Sequence, residues 1–157
     1  VAAQINVQMQ AVPMTLQTLA VLAVGAAFGW RLGAATVALY VLEGAVGLPV
    51  FAEMKAGLPV LFGPTGGYLL GFILAAGVVG HLAQRGFDRS VPTTFAAMLI
   101  GAVVLYIPGL IWLSGFVGGM EGAVTFGFAP FWIGDIVKAA VAALAFPTVW
   151  KWLGETR

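Results

Sequence analysis

Two side chains of opposite charge, Asp135 and Lys138, lie three residues apart at the start of a long apolar run near the end of the chain. Positions i and i+3 share one face of a helix, so this carboxylate and this ammonium group can hydrogen-bond one shared ligand. Charged groups in so apolar a segment are costly and need partners, which makes the pair a candidate functional site. In a structural alternative, the Asp135 carboxylate only interacts with the positive end of the helix dipole, and the Lys138 side chain extends to the membrane surface or pairs with Asp135. The sequence pattern leaves the functional and the structural interpretation open.

The composition is that of an integral membrane protein. Hydrophobic residues make up 61% of the chain and charged residues 8%, and the mean hydropathy is +1.03, whereas soluble domains carry about 25% charged residues. A net charge of +1 without a basic patch gives no reason to expect nucleic acid as a partner, and the chain has no cysteine for thiol chemistry. The single histidine, His81, argues against a histidine-based metal site, so we expect no metal or cofactor.

The apolar residues fall into five segments separated by glycine-rich or polar turns: residues 14–28, 34–48, 68–82, 93–116 and 132–153. Such segments predict membrane helices, although those near 15 residues need their flanks to reach the roughly 20 residues of a full span. We therefore predict an all-α, polytopic transmembrane bundle that forms a single domain over residues 1–157. Residues 1–12 are too polar to span a bilayer and predict either an extramembrane segment or the last turns of a truncated helix.

The connections between these segments hold further candidates. Residues 49–67 are rich in proline and glycine, hydrophobic for an exposed loop and long, so we interpret them as a lid. The lid ends in a glycine-rich turn, residues 63–68, whose N–H groups can bind an anion such as a carboxylate.

Two further candidates lie inside the apolar segments. The Glu43 carboxylate must be paired or protonated there, so it is expected to face the bundle interior, where structural hydrogen bonding is the favoured role. In the longest segment we expect a kink at Pro108, and Trp112 either stacks on a ring or anchors at the membrane interface.

Basic residues predict the orientation of the bundle. Alternating helices place most of them on one side: Arg31, Arg85, Arg89, Lys151 and Arg157. By the positive-inside rule that side, which includes the C-terminus, is cytoplasmic. The polar candidates then gather at the outer side, where an external solute arrives: Thr15, Gln17, Thr65, Asp135 and Lys138.

Four separated motifs resemble the BioY family, the biotin-binding S-components of energy-coupling factor (ECF) transporters. They are PMTLQTL over residues 13–19, GAVGLPVF over 44–51, GPTGGYLLGF over 63–72 and GDIVKA over 134–139. They occur in the order of the family and cover nearly the whole chain. The resemblance implies a six-helix S-component in a prokaryotic cytoplasmic membrane, with a binding site that faces outward. Its implied partners are biotin, membrane lipid, a transmembrane coupling subunit and ATP-binding subunits; the chain itself has no nucleotide-binding motif and is not expected to be an enzyme.

The same resemblance assigns roles to the candidate residues. The family's Asp-x-x-Lys falls on Asp135 and Lys138, which suit the two N–H donors and the carbonyl acceptor of the ureido ring of biotin. Asp135 is expected to accept from a ureido N–H. Lys138 is expected to donate to the ureido carbonyl or to a neighbouring polar group, with contact to the tail carboxylate as the alternative. The carboxylate of the biotin tail is expected near Thr65 and the backbone of Gly66, with Gln17 as a further polar contact. Apolar walls are expected from three aromatic residues: Phe51, Tyr68 and Trp112.

The chain departs from the family pattern at its start, because little of the family's first helix precedes the PMTLQTL motif. We therefore expect a truncated first helix and about five full spans. The main alternative function is an ion- or proton-coupled secondary transporter in which Asp135, Lys138 and Glu43 form a relay. A membrane enzyme would need Glu43, His81, Glu121 and Asp135 to converge, and a purely structural subunit would bind no small solute.

Overall fold

The computed structural model describes residues 2–7 and 14–154, and in this part the chain is almost entirely helical. Its α-helices are α1 (Gln17–Ala45), α2 (Leu58–Leu61), α3 (Gly66–Gln84), α4 (Val91–Ser114), α5 (Met120–Gly127) and α6 (Trp132–Trp152). Four of them, α1, α3, α4 and α6, are long and apolar enough to cross a membrane. The predicted all-α membrane bundle is therefore confirmed.

Helix α1 folds back on itself at Gly29, where the backbone leaves helical geometry with φ 78° and ψ 177°. In a straight helix Gln17 and Tyr40 would lie about 34 Å apart, but their side chains are joined by a hydrogen bond of 2.7 Å. Below them, a Cβ atom on Gly33 would come within 2.8 Å of the Gly25 Cα. Residues 17–28 and 30–45 are thus two antiparallel arms, and the predicted turn after Phe28 is present.

The described part of the amino terminus does not continue as an α-helix. Ala2–Gln4 form one 3-10 turn, and strand β1 (Asn6–Val7) pairs antiparallel with strand β2 (Met14–Thr15). The Gln4 side chain is fixed to the loop that follows α1, because its Nε2 donates to the Phe51 carbonyl at 2.8 Å and its Oε1 accepts from the Met54 N–H at 3.1 Å. The predicted helix start at Pro13 lies outside the described residues.

Close backbone contacts, made possible by glycine, hold α3 against both arms of α1 and against α4. A Cβ on Gly80 would lie 2.5 to 2.7 Å from backbone atoms of Gly25, Gly29 and Trp30 in α1, and one on Gly25 would lie 2.4 Å from the Ala76 carbonyl oxygen. On another face of α3, a Cβ on Gly71 would approach the Leu105 carbonyl oxygen of α4 to 2.5 Å. Small residues let membrane helices approach this closely. Helix α3 is therefore the centre of the bundle.

Large apolar side chains cover the outside of the long helices. Leu39, Leu74, Ile107 and Leu144, one from each long helix, are all more than half exposed. Water would make such a surface unfavourable, but lipid tails match it. The described helices thus form a multi-pass membrane bundle with a lipid-facing exterior.

The two ends of the bundle differ in charge. The basic end consists of the Gly29 turn, the α3–α4 loop and the end of α6, and it carries Arg31, Arg85, Arg89 and Lys151. A polar cluster joins its parts: the buried Asp88 accepts a hydrogen bond of 2.6 Å from the Trp150 indole N–H, and the Arg89 guanidinium lies 4.6 Å from the centre of the Trp150 ring. The opposite end, where α3 and α6 begin, contains a cavity and is the cavity end of the bundle.

Two connections contain more structure than the sequence predicted. Residues 117–130, expected to be a glycine-rich connection, include helix α5, and residues 49–67 include the 3-10 turn Ala52–Met54 and the short α2. Helix α4 continues through Pro108, where a kink was expected.

Candidate functional site

A cavity opens at the cavity end of the bundle, between α1, α3, α4 and α6. Its volume is about 90 Å³, counted as the space open to the centre of a water-sized sphere. On the same measure one water needs roughly 10–15 Å³, so the cavity is several times larger than a water site. Most of its wall is apolar, with a few polar and charged groups. Small-molecule sites have this composition, because the apolar wall excludes water and the polar groups orient the ligand.

Asp135 and Lys138 lie together in this cavity. Asp135 is in the first turn of α6, where the helix dipole favours a carboxylate, and it is 8% exposed. The Lys138 Nζ lies 3.2 Å from Asp135 Oδ1 and donates a second hydrogen bond of 2.8 Å to Thr18 Oγ1 on the first arm of α1. Their side chains are only 9% and 12% exposed, so this ion pair is largely shielded from solvent.

Tyr106 on α4 completes the surroundings of the carboxylate. Its hydroxyl donates a short hydrogen bond to Asp135 Oδ2, the oxygen that Lys138 does not contact. Each oxygen of Asp135 thus has one protein donor and retains a lone pair for a ligand, while the ammonium of Lys138 has one proton beyond its two bonds. The pair can therefore offer an acceptor and a donor to one ligand group.

A second hydrogen-bonded chain borders the cavity at Gln17. The Gln17 side-chain amide donates to the Tyr40 hydroxyl at 2.7 Å, and this hydroxyl donates to the Val50 carbonyl at 3.1 Å. The chain joins the two arms of α1 to the loop that follows them. Gln17 is held in place through these bonds and lines the cavity.

Aromatic rings form much of the apolar wall. Tyr68, whose hydroxyl donates to the Gly127 carbonyl at 2.9 Å, meets Tyr106 edge to face at a centroid distance of 6.3 Å. Phe51 is only 2% exposed and packs against Gly44 and edge to face against Tyr40. Phe131, just before α6, also lines the cavity.

Most of the predicted site residues line this one cavity: Gln17, Phe51, Thr65, Tyr68, Asp135 and Lys138. Two others stand behind its wall. The Trp112 indole donates to the Gly63 carbonyl at 2.9 Å, and Gly66 packs between this indole and Leu61. The Gly66 N–H is already bonded to the Gly63 carbonyl at 3.0 Å. These two residues therefore shape the turn that carries Thr65.

The cavity also contains residues that the sequence did not single out, above all Tyr106, Phe131, Thr18 and Lys55. The sequence did contain a signal for Tyr106: it is a tyrosine in the most apolar helix, where its hydroxyl needs a hydrogen-bond partner. Lys55 lies within residues 49–67, the connection interpreted from its sequence as a lid. Its neighbour Glu53 forms an ion pair with it at 2.5 Å.

The ionisable residues required by the alternative functions do not gather here. Glu43 is half-buried near the end of α1, and Glu121 is exposed at the start of α5. His81 belongs to the last turn of α3, near the basic end. Of the described residues that line the cavity, only Asp135, Lys138 and Lys55 carry charge.

Comparison with known proteins identifies relatives over most of the chain. A family model described as the BioY family matches residues 1–155. The chain is 43% identical to the biotin transporter BioY of Thermotoga maritima and 40% identical to the probable biotin transporter BioY of Pyrococcus horikoshii; each match covers 92% of this chain and 84% of the relative.

The fold has a counterpart in the crystal structure of the S-component for biotin from an ECF-type ABC transporter. The match has a TM-score of 0.81 and 23% sequence identity, and it covers 94% of this chain and 80% of the other. The structural match shows a shared fold, and the sequence matches show shared ancestry. The chain belongs to the BioY family.

Proposed function

We propose that this protein captures biotin at the outer face of a prokaryotic plasma membrane, as the S-component of an ECF transporter. The observation that carries the proposal is the largely shielded Asp135–Lys138 pair, held by Tyr106 and Thr18 in a mostly apolar cavity of a BioY family member. The relatives named as biotin transporters give the ligand class.

The ureido ring of biotin matches the hydrogen-bonding groups that remain on this pair. Asp135 accepts from a ureido N–H through a lone pair not used by its protein donors. Lys138 donates its remaining proton to the ureido carbonyl. Both protein groups are already ordered, so little conformational entropy is lost when the ligand binds.

The rest of the ligand meets the aromatic wall and the lid. The bicyclic ring and the aliphatic chain contact Phe51, Tyr68 and Phe131, while Thr65 and Gln17 lie on the polar part of the wall. Trp112 and Gly66 support the Thr65 turn from behind. Residues 49–67 act as the lid.

The basic end faces the cytoplasm in this proposal. Four described basic residues lie there, while Lys55 and Lys138, at the cavity end, are both ion-paired. By the positive-inside rule the cavity then opens outward and the C-terminus is cytoplasmic. A transmembrane coupling subunit and ATP-binding subunits supply the energy for release, and this chain is not an enzyme.

The test is calorimetric binding of biotin and desthiobiotin to the purified full chain, followed by uptake in cells with and without a coexpressed ECF module. We expect biotin to bind and uptake to require the ATP-hydrolysing subunits. Uptake that is driven by an ion gradient without these subunits would instead support the secondary transporter. A folded chain that binds no biotin would contradict the proposal.

Replacing Tyr106 by Phe should weaken biotin binding about tenfold while the chain stays folded. The change removes one hydrogen bond to a buried carboxylate, which is worth about 1.5 kcal/mol, and keeps the ring that packs against Phe128. Calorimetry gives the affinity, and melting in detergent gives the stability. Tyr40→Phe, which removes the hydroxyl between Gln17 and Val50, is the comparison; a larger loss there than at Tyr106 would contradict the role of Tyr106.

A further inference from the structure

The two lysines of the cavity wall differ in where their counter-ions lie. Asp135 and Lys138 neutralise each other at 3.2 Å, which leaves Lys55 as the third charged residue among the described residues of the wall. Its partner Glu53 is not part of that wall. Lys55 is therefore a charged group of the wall whose counter-ion lies outside the wall.

The ion pair that occupies Lys55 is easily exchanged. The Lys55 side chain is 59% exposed and that of Glu53 is 24% exposed. Ion pairs in contact with water contribute little to stability, because solvation replaces most of their attraction. Lysine also has a long flexible stem, so its ammonium can turn from one carboxylate to another at small cost.

The backbone brings Lys55 to the cavity through an unusual turn. Glu53 and Met54 both have left-handed backbone conformations, with φ of 60° and 57°, which non-glycine residues adopt only when the surroundings hold them. Gln4 holds this turn through its bonds to Phe51 and Met54, and the buried Phe51 ring fixes its start. Strain of this kind is concentrated at ligand-binding segments.

We propose that Lys55 is the specificity residue for a negatively charged ligand tail: its ammonium leaves Glu53 and pairs with the carboxylate of the bound molecule. The inference rests on the proposed function, in which the ligand is biotin and the ring occupies Asp135 and Lys138. It adds that this protein selects the free acid over neutral derivatives of the same ring. Glu53 holds the lysine in the empty state and competes with the ligand.

The experiment compares biotin with biotinamide, in which a neutral amide replaces the carboxylate, by calorimetry on the full chain in detergent. We expect the unmodified protein to bind biotin at least tenfold more tightly than biotinamide, about the effect of one charge-assisted hydrogen bond. Lys55→Gln should weaken biotin about tenfold and leave biotinamide unchanged, so that the preference disappears. Glu53→Gln should strengthen biotin binding several-fold, because it removes the competing carboxylate.

Lys151→Gln, at the basic end, is the matched control and should preserve the affinities of both ligands. A Lys55→Gln protein that keeps the preference for biotin, or that loses both ligands equally, would overturn the role of Lys55 while leaving biotin capture intact. Absence of binding of both ligands by the folded, unmodified protein would overturn the proposed function itself.

Discussion

Asp135→Asn should reduce biotin affinity by about thirtyfold or more. The substitution leaves the largely shielded Lys138 ammonium without its counter-ion and places an amide where Tyr106 and Lys138 both donate to a carboxylate. Breaking one partner of such a pair costs about 2 to 5 kcal/mol, and each 1.4 kcal/mol is tenfold in affinity. Calorimetry on the purified full chain, with melting measured in parallel, separates lost binding from lost folding.

Glu121→Gln is the matched control for this variant. It removes the same charge at the same end of the bundle, but Glu121 is exposed at the start of α5 and does not line the cavity. We expect its biotin affinity to stay within about twofold of the unmodified protein, because exposed charges interact weakly across water. Similar losses of biotin affinity in both variants would mean that Asp135 acts through the net charge of the cavity end and not through direct contact with the ligand.

Gly80→Ala should destabilise the bundle strongly, although it adds only one methyl group. That methyl would lie 2.5 to 2.7 Å from backbone atoms of Gly29, Trp30 and Gly25, which cannot rotate away as a side chain can. Helix α3 must then separate from the α1 turn. Overpacking of this kind costs about 3 kcal/mol, which lowers the melting temperature by roughly 6 to 12 °C.

Gly77→Ala, one turn earlier on the same helix, provides the comparison. Its methyl would meet only the Ala34 Cβ, at an ordinary contact distance of 3.7 Å. Because alanine also favours the helix more than glycine does, we expect an unchanged or slightly higher melting temperature. Equal melting temperatures for the two variants would show that the α1–α3 contact adjusts freely, contrary to the packing described here.

The order of the long helices could be predicted, because runs of apolar residues and the turns between them are visible in the sequence. Helix α5 was missed, since glycines at 118, 119, 122 and 127 resemble a loop. The first two do have positive φ values of 80° and 108°. Gly127, in contrast, is the last residue of α5, and a Cβ there would collide with the Tyr68 hydroxyl. Tertiary packing selects glycine there, and this reason cannot be read from local sequence.

The candidate site was predicted in part, for a related reason. Asp135 and Lys138 stand out because charges are rare in apolar helices, and the motifs supplied Gln17, Phe51, Thr65 and Tyr68. The face of α4 that turns inward cannot be recognised in a helix apolar on all sides, so the contact between Tyr106 and Asp135, 29 residues apart, was not foreseen. The position of Lys55 at the cavity depends on the left-handed backbone conformations of Glu53 and Met54, which residue propensities do not predict.

The two arms of α1 have a consequence for the match between this protein and its bilayer. Residues 17–28 rise only about 18 Å along the helix axis, and the 24 residues of α4 rise about 36 Å, whereas the hydrocarbon layer is about 30 Å thick. Exposed apolar side chains at Val46, Leu48, Leu58 and Phe62 lie in the segment after α1 and can meet lipid beyond the short arm. This hydrophobic mismatch favours a locally thinned bilayer around residues 49–67, so biotin affinity should depend on the acyl-chain length of the surrounding lipid.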